Sequence, residues 1–274
     1  MKKLTVFCAA ACLAASAAAQ NHPDLHEVLD RQKGRNLIEI PKGTYTLDVR
    51  SNGPYKFHNL TDVHINGNGS TGICNNQEQA FSFYNCVRVE LHDLTIDYDP
   101  LCFTQGEITA VAEDGSWFDV RIDEGYPVTG LAANRVQFYD PQTRLLKRNS
   151  ITTYTSNYSA LKQLGHNLFR AVKNGTWSAG EQVGDLVVMD VKTDKPNAGV
   201  HTVMLNKCYN TKLENVTVYG SNTFSFFEKE GYANEYRNCV VDRGPMPQGI
   251  RPRLRSGNAD GIHSSQARKG PTVT

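Results

Sequence analysis

Neither sign of charge is in excess: 29 Lys and Arg stand against 28 Asp and Glu, for a net charge of +1 at pH 7. A nucleic-acid binder held by phosphate contacts needs a basic face, so the balance gives that class no support. Methionine and tryptophan are scarce, at four and two. No C-x-x-C pair and no Cys/His ligand spacing occurs, which argues against a zinc site and a disulfide scaffold. After the first twenty residues no long apolar run remains. A membrane-spanning helix needs about 20 such residues, so no span is expected in the mature chain. What is present is a chain of 274 residues, 39% hydrophobic and 21% charged, which is not the composition of a disordered tail. Twenty-two glycines, with abundant Asn, Thr and Val, lean towards β-structure with many turns.

The N-terminus is read apart from the fold. Met1-Lys2-Lys3 is a positive start, residues 4–17 are apolar and Ala-rich, and Ala17-Ala18-Ala19 supplies small residues before Gln20. This tripartite pattern is that of a secretory signal peptide over residues 1–19, giving an exported, periplasmic or extracellular protein. The apolar run is shorter than a span requires, and Ala9-Ala10-Ala11 is a weak lead-in to a lipid anchor on Cys12. Processing removes Lys2 and Lys3, so the mature chain stays close to neutral. Cys74, Cys86, Cys102, Cys208 and Cys239 remain, an odd set. Cys86 and Cys208 read as small buried apolar residues.

Three segments resemble one another: residues 59–67, 85–97 and 208–218. The first two align at an offset of 26 residues, the second and third at 122. Within them Val63/Ile65, Val89/Leu91, Leu94/Ile96 and Val216/Val218 alternate with polar residues. A period of two makes a strand with one apolar face. A spacing in the twenties with Asn and Gly at the corners suits one coil of a solenoid. The expected fold is all-β, a right-handed parallel β-helix with an inserted antiparallel β-domain. A β-sandwich is the alternative. Residues 20–98 form a helical cap (24–32, with Leu25, Val28 and Leu29 on one face) and the first coils, including strands at 37–40 and 44–47. Residues 99–200 break the repeat as a barrel-like insert, with strands expected at 105–111, 117–122, 135–139, 167–172 and 185–191 around a turn at Glu113-Asp114-Gly115. A structureless loop of that length is improbable in a compact protein. Residues 201–274 resume the solenoid. Its last residues read as the opening of another strand with no cap, hence as a truncated chain.

Several motifs then carry a resemblance. Ile40-Pro41-Lys42-Gly43-Thr44-Tyr45 and Val63-His64-Ile65-Asn66-Gly67-Asn68-Gly69-Ser70 resemble the first coils of secreted pectin-lyase-like β-helix enzymes. Asp93-Leu94-Thr95-Ile96-Asp97-Tyr98, then Gln105-Gly106, then an inserted β-domain, resembles the β-helix α-galactosidase family typified by bacterial blood-group-B enzymes. Asn258-Ala259-Asp260-Gly261-Ile262-His263 is similar to the Asn-Thr-Asp-Gly-Ile-Asp motif of polygalacturonases, with His263 standing where a second Asp is expected. The resemblance implies a glycoside hydrolase acting on a poly- or oligosaccharide, an α-galactoside among the candidates, with no cofactor or metal.

Glycoside hydrolysis needs one group to protonate the leaving oxygen and another to act as base or nucleophile. Strands stacked about 4.8 Å apart bring carboxylates of neighbouring coils to one bond. Asp260, between small residues, takes the acid role that the polygalacturonase-like motif implies; its bland reading is a turn cap before Gly. Glu228 and Glu230, which share a face if extended, and Asp242 are the candidates for the second group, each alternatively a solvated turn residue. His263 and Asn258 are candidate sugar ligands. Arg251, Arg253 and Arg255 alternate, so their guanidinia point one way in an extended chain and suit a carboxylate- or sulfate-bearing sugar; a solvated loop is the other reading. Two other functions stay open. Asp93, Asp97 and Asp99 are the carboxylates a calcium-dependent lyase would use, and a non-catalytic carbohydrate-binding β-helix would show the same repeats. Trp117 and Trp177 are candidates for sugar stacking or for core.

Overall fold

The structure, a computed structural model, describes residues 22–192, 201–256 and 260–274. The leader expected over residues 1–19 and the candidate Asn258 lie outside the described residues. Helix α1 (Leu25–Asp30) opens the fold. Asp24 caps it by accepting the His26 N–H at 2.9 Å, and Leu25, Val28 and Leu29 are buried. Strands β1 (Leu37–Glu39), β2 (Thr44–Leu47), β3 (Tyr55–His58), β4 (Thr61–Cys74), β5 (Phe81–Tyr84) and β6 (Val87–Tyr98) follow. Next come β7 (Phe103–Val111), β8 (Trp117–Ile122), β9 (Leu131–Tyr139), β10 (Thr153–Tyr154), β11 (Tyr158–Gln163), β12 (Leu168–Lys173) and β13 (Leu186–Val191). The last are β14 (Val203–Asn206), β15 (Lys212–Tyr219), β16 (Phe226–Lys229), β17 (Glu235–Arg237), β18 (Val240–Asp242), β19 (Ile262–Ser265) and β20 (Thr272–Val273).

Among the described residues these strands make three sheets, and the protein is all-β. Two sheets are parallel throughout: an eight-stranded one on the path β1-β4-β6-β15-β17-β20, with β2 on β4 and β18 on β15, and a five-stranded one ordered β3-β5-β14-β16-β19. The chain visits them in turn. Val63 pairs with Val89 and Ile65 with Leu91, while Leu91 pairs with Leu213 and Ile96 with Val218. These registers are the offsets of 26 and 122 at which the sequence aligns with itself. The paired side chains face one interior and are buried. Each such aliphatic contributes about 1.5–3 kcal/mol by leaving water.

The corners explain the polar part of the repeat. The residue after each strand of the five-stranded sheet has a left-handed backbone: Asn59, Asn85, Lys207, Glu230 and Gln266, with φ of 57, 54, 53, 52 and 55°. Three positions on, Asp62, Arg88, Asn210 and Ala233 repeat it, at 56, 52, 51 and 51°. Asn and Asp tolerate this region because their short polar side chains bond locally. Asn85 also donates to Asn59 Oδ1 at 2.8 Å, one step of an amide ladder.

The third sheet is antiparallel, ordered β10-β9-β13-β7-β8-β12-β11. Phe103, Ile108, Phe118, Val120, Phe138, Val187 and Met189 form its buried core. The five strands expected between residues 105 and 191 all occur in it. β10 and β11 were not expected: β11 lies at the sheet edge, where Lys162 and Gln163 are exposed and no alternation is imposed. Among the described residues no helix is long and apolar enough to cross a membrane.

Candidate functional site

Strand parity decides what each residue on the five-stranded sheet does. Along β16, Phe226 and Glu228 turn inward and are fully buried, while Phe227 and Lys229 face out. Phe227 is in register with Met204 on one side and His263 on the other. On this outer face four rings meet. Phe224 lies flat between His201 (centroids 4.8 Å, planes 8° apart) and His263 (4.3 Å, 1°). Phe227 closes the group at 4.3 Å from His201 and 5.7 Å from His263. All four are half-buried. Thr223 Oγ1 holds His201 Nδ1 at 2.8 Å. Burial, reinforced by the nearby His263, pulls His201 down to about 4, so that ring is neutral in ordinary buffers.

Asp260 stands at the edge of this platform. Its Oδ2 is 2.8 Å from His263 Nδ1, and the two side chains are 59% and 40% exposed. Its backbone oxygen accepts the Ser225 N–H at 3.2 Å, tying it to the residue before β16. An exposed carboxylate bonded to an imidazole, beside an aromatic stack, can exchange a proton with a ligand lying against the edge of that stack.

The structure brings Asp260 and His263 together, and not the other candidate carboxylates. Glu228 points into the interior with no exposed surface, bonded to Asn234 Nδ2 at 3.0 Å and facing Ser264 Oγ at 3.5 Å. It reaches no ligand, which corrects the catalytic expectation. Glu230 does not share its face, because the left-handed backbone at φ 52° turns the chain; its carboxylate lies 3.8 Å from Lys207. Asp242 ends β18 on the other parallel sheet and accepts the Arg243 N–H at 2.6 Å. Burial pushes the Glu228 carboxyl up from 4.5. A raised folded value means stability that is complete below 4.5 and lost as pH rises through the raised value. The difference in melting temperature between Glu228→Gln and wild type is therefore expected to grow in favour of the variant from pH 4 to pH 7. A flat difference would show that Glu228 is not held in this way.

The arginine triplet is likewise not free to grip a ligand. Arg253 forms a two-pronged pair with Asp97 at 2.8 and 3.0 Å, and Arg255 reaches Asp190 at 2.7 Å; both are about 5% exposed or less. Arg251 contacts Asp123 at 3.0 Å and Glu107 at 3.6 Å. The buried Gln105 completes the strap, donating to Pro252 O at 3.0 Å and accepting from Leu254 N at 2.8 Å. These bonds fasten the segment that leads towards Asp260 onto the antiparallel sheet.

Asp97, engaged by Arg253, and Asp93, bonded to His92 and Asn215, do not gather into a cation cage with Asp99. Among the described residues no group of three His, Cys, Asp or Glu is placed to hold a metal ion. Trp117 lies 3.5 Å under the Arg170 guanidinium and Trp177 packs against Lys173, so both rings already have cationic partners in the antiparallel sheet.

Sequence reasoning missed His201, Phe224 and Phe227. A signal existed: His201 lies one repeat before Phe224, and Phe227 has the outward parity opposite to Phe226.

The sequence matches no family model and no curated protein. Among solved structures it is similar to the Gp54 tailspike of Acinetobacter baumannii bacteriophage AP22 in complex with A. baumannii capsular saccharide. The identity is 12%, over 88% of this chain and 46% of that one, with a TM-score of 0.25. The chain thus spans about half the length of the tailspike, and at that score the likeness carries no weight for fold or activity.

Proposed function

We propose that this protein is an exported glycoside hydrolase that holds a poly- or oligosaccharide along the outer face of the five-stranded sheet. In this reading the two parallel sheets are walls of a right-handed β-helix, built from residues 20–98 and 201–274, and residues 99–200 are a domain inserted between coils. The observation that carries the reading is the Asp260–His263 pair at the edge of the His201/Phe224/Phe227 platform. The stacked rings turn their edges to a ligand, and Phe227, tilted 37° to Phe224, adds apolar surface against which the C–H groups of a sugar pack. Asp260 donates a proton to the leaving glycosidic oxygen as the C–O bond breaks, a water adds its oxygen to the anomeric carbon, and the proton that water sheds returns to Asp260 by way of His263, 2.8 Å away.

The test is release of reducing ends from a panel of polysaccharides, with products read by mass spectrometry. Phe224→Ala is expected to raise KM about 2- to 10-fold through loss of the ring that spaces His201 from His263 and of its apolar edge, and to leave kcat within about twofold. An unchanged KM would remove the platform from the binding site. One observation favours a second reading, a saccharide-binding surface without turnover: Glu228, Glu230 and Asp242 are all engaged elsewhere. Binding without any new reducing ends would select it.

A further inference from the structure

A groove of about 480 Å³ opens between β9 and the strap that follows β18. Tyr139 and Gln137 line its β9 side, Leu145 and Leu146 form one wall, and Arg243 and Arg255 lie on the strap side. The two leucines are 59% and 53% exposed, adjacent apolar side chains left facing an open groove. Arg255 is engaged by Asp190. Arg243 differs from the arginines of the strap: among the described residues no carboxylate pairs with it, although its guanidinium lies half-buried at the groove.

We propose that this groove binds a sugar unit bearing one anionic substituent, a carboxylate or a sulfate, with Arg243 as the residue that recognises the charge. The proposal rests on the saccharide-binding reading above. A guanidinium offers a planar fork of N–H donors that matches either anion. Tyr139 and Gln137 supply further polar groups for ring hydroxyls, and burial pushes the Tyr139 phenol up, keeping it a neutral donor. The leucines supply the apolar wall for a ring face. The groove also lies close to the acid. Ser256, on its lining, is four residues before Asp260, so the two are at most about 14 Å apart along the chain. A short oligosaccharide therefore spans the groove and the platform. Recognition of the charge passes from the triplet Arg251, Arg253 and Arg255, whose guanidinia are internally paired, to the neighbouring Arg243.

Calorimetric titration of the full chain with sodium glucuronate, glucose 6-sulfate and glucose tests this. Wild type is expected to bind one or both anionic sugars at least about tenfold more tightly than glucose, and to lose that preference as salt is raised. Arg243→Gln is expected to remove the preference with its melting temperature unchanged, and Arg243→Lys to keep part of it. Equal binding of the three sugars by wild type, or an undiminished preference in Arg243→Gln, would overturn the proposal. The reducing-end assay on wild type and Asp260→Asn, run beside the titration, keeps the two readings apart. An Arg243-dependent preference in a wild type that cleaves nothing would sustain the groove and sink the hydrolase. Asp260-dependent cleavage with no preference for anionic sugars would do the reverse.

Discussion

Replacing Asp260 by Asn is expected to lower turnover by about 10²- to 10⁴-fold, the range a positioned general acid supplies, and to leave the melting temperature within about 1 °C. The two effects separate because the side chain is 59% exposed and, among the described residues, its partner is His263 alone, at 2.8 Å. Asn keeps the shape and a hydrogen-bonding oxygen, and exposed substitutions of this kind change stability by less than about 0.5 kcal/mol. Initial rates and scanning calorimetry on the same preparations read both quantities. Full activity in Asp260→Asn would remove it as the acid. A large drop in melting temperature would make it a structural residue instead.

The opposite profile is expected at Arg253. Arg253→Met should cost about 3–5 kcal/mol, because it strands the Asp97 carboxylate in a nearly closed site. For a chain of this size that is a fall in melting temperature of about 6–20 °C. The surroundings leave little room to relax. Gly244, at φ 75°, sits so close that a Cβ there would lie 2.6 Å from the Arg253 guanidinium and 2.8 Å from the Tyr219 ring. Glycine is needed at Gly244 both for its backbone and for that approach. Asp97→Asn combined with Arg253→Met should recover part of the loss, since the stranded charge is then gone. A loss below about 1 kcal/mol in the single variant would mean that the pair behaves as an exposed one. Because the strap leads towards Asp260, Arg253→Met is also expected to impair turnover in the fraction that remains folded.

The parts legible from sequence were those governed by local rules. The aliphatic alternation of Val63/Ile65, Val89/Leu91 and Val216/Val218 marked strands, and the self-alignment offsets of 26 and 122 are the actual strand registers. Asn59 and Asn85 marked corners because asparagine accepts a left-handed backbone, whereas Lys207 and Glu230 take the same conformation without announcing it. That hidden turn is why Glu228 and Glu230 do not share a face. Pairing between distant residues was not legible. The alternation of Arg251, Arg253 and Arg255 could be seen, but their partners Asp123, Asp97 and Asp190 lie 128, 156 and 65 positions away. Nor does a polar residue declare which side of a strand it occupies when its neighbours are aromatic on both faces, as Phe226 and Phe227 are around Glu228.

The central claim is that a saccharide lies on the outer face of the five-stranded sheet with a glycosidic oxygen at Asp260. A crystal structure of Asp260→Asn with a bound oligosaccharide, taken from whichever polysaccharide the wild type cleaves or binds, tests it most directly. The account predicts a sugar ring packed against the edge of the His201/Phe224/His263 stack beside Phe227, and a glycosidic oxygen within hydrogen-bond reach of the residue at position 260. A saccharide seated on the eight-stranded sheet, with the platform bare, would contradict it.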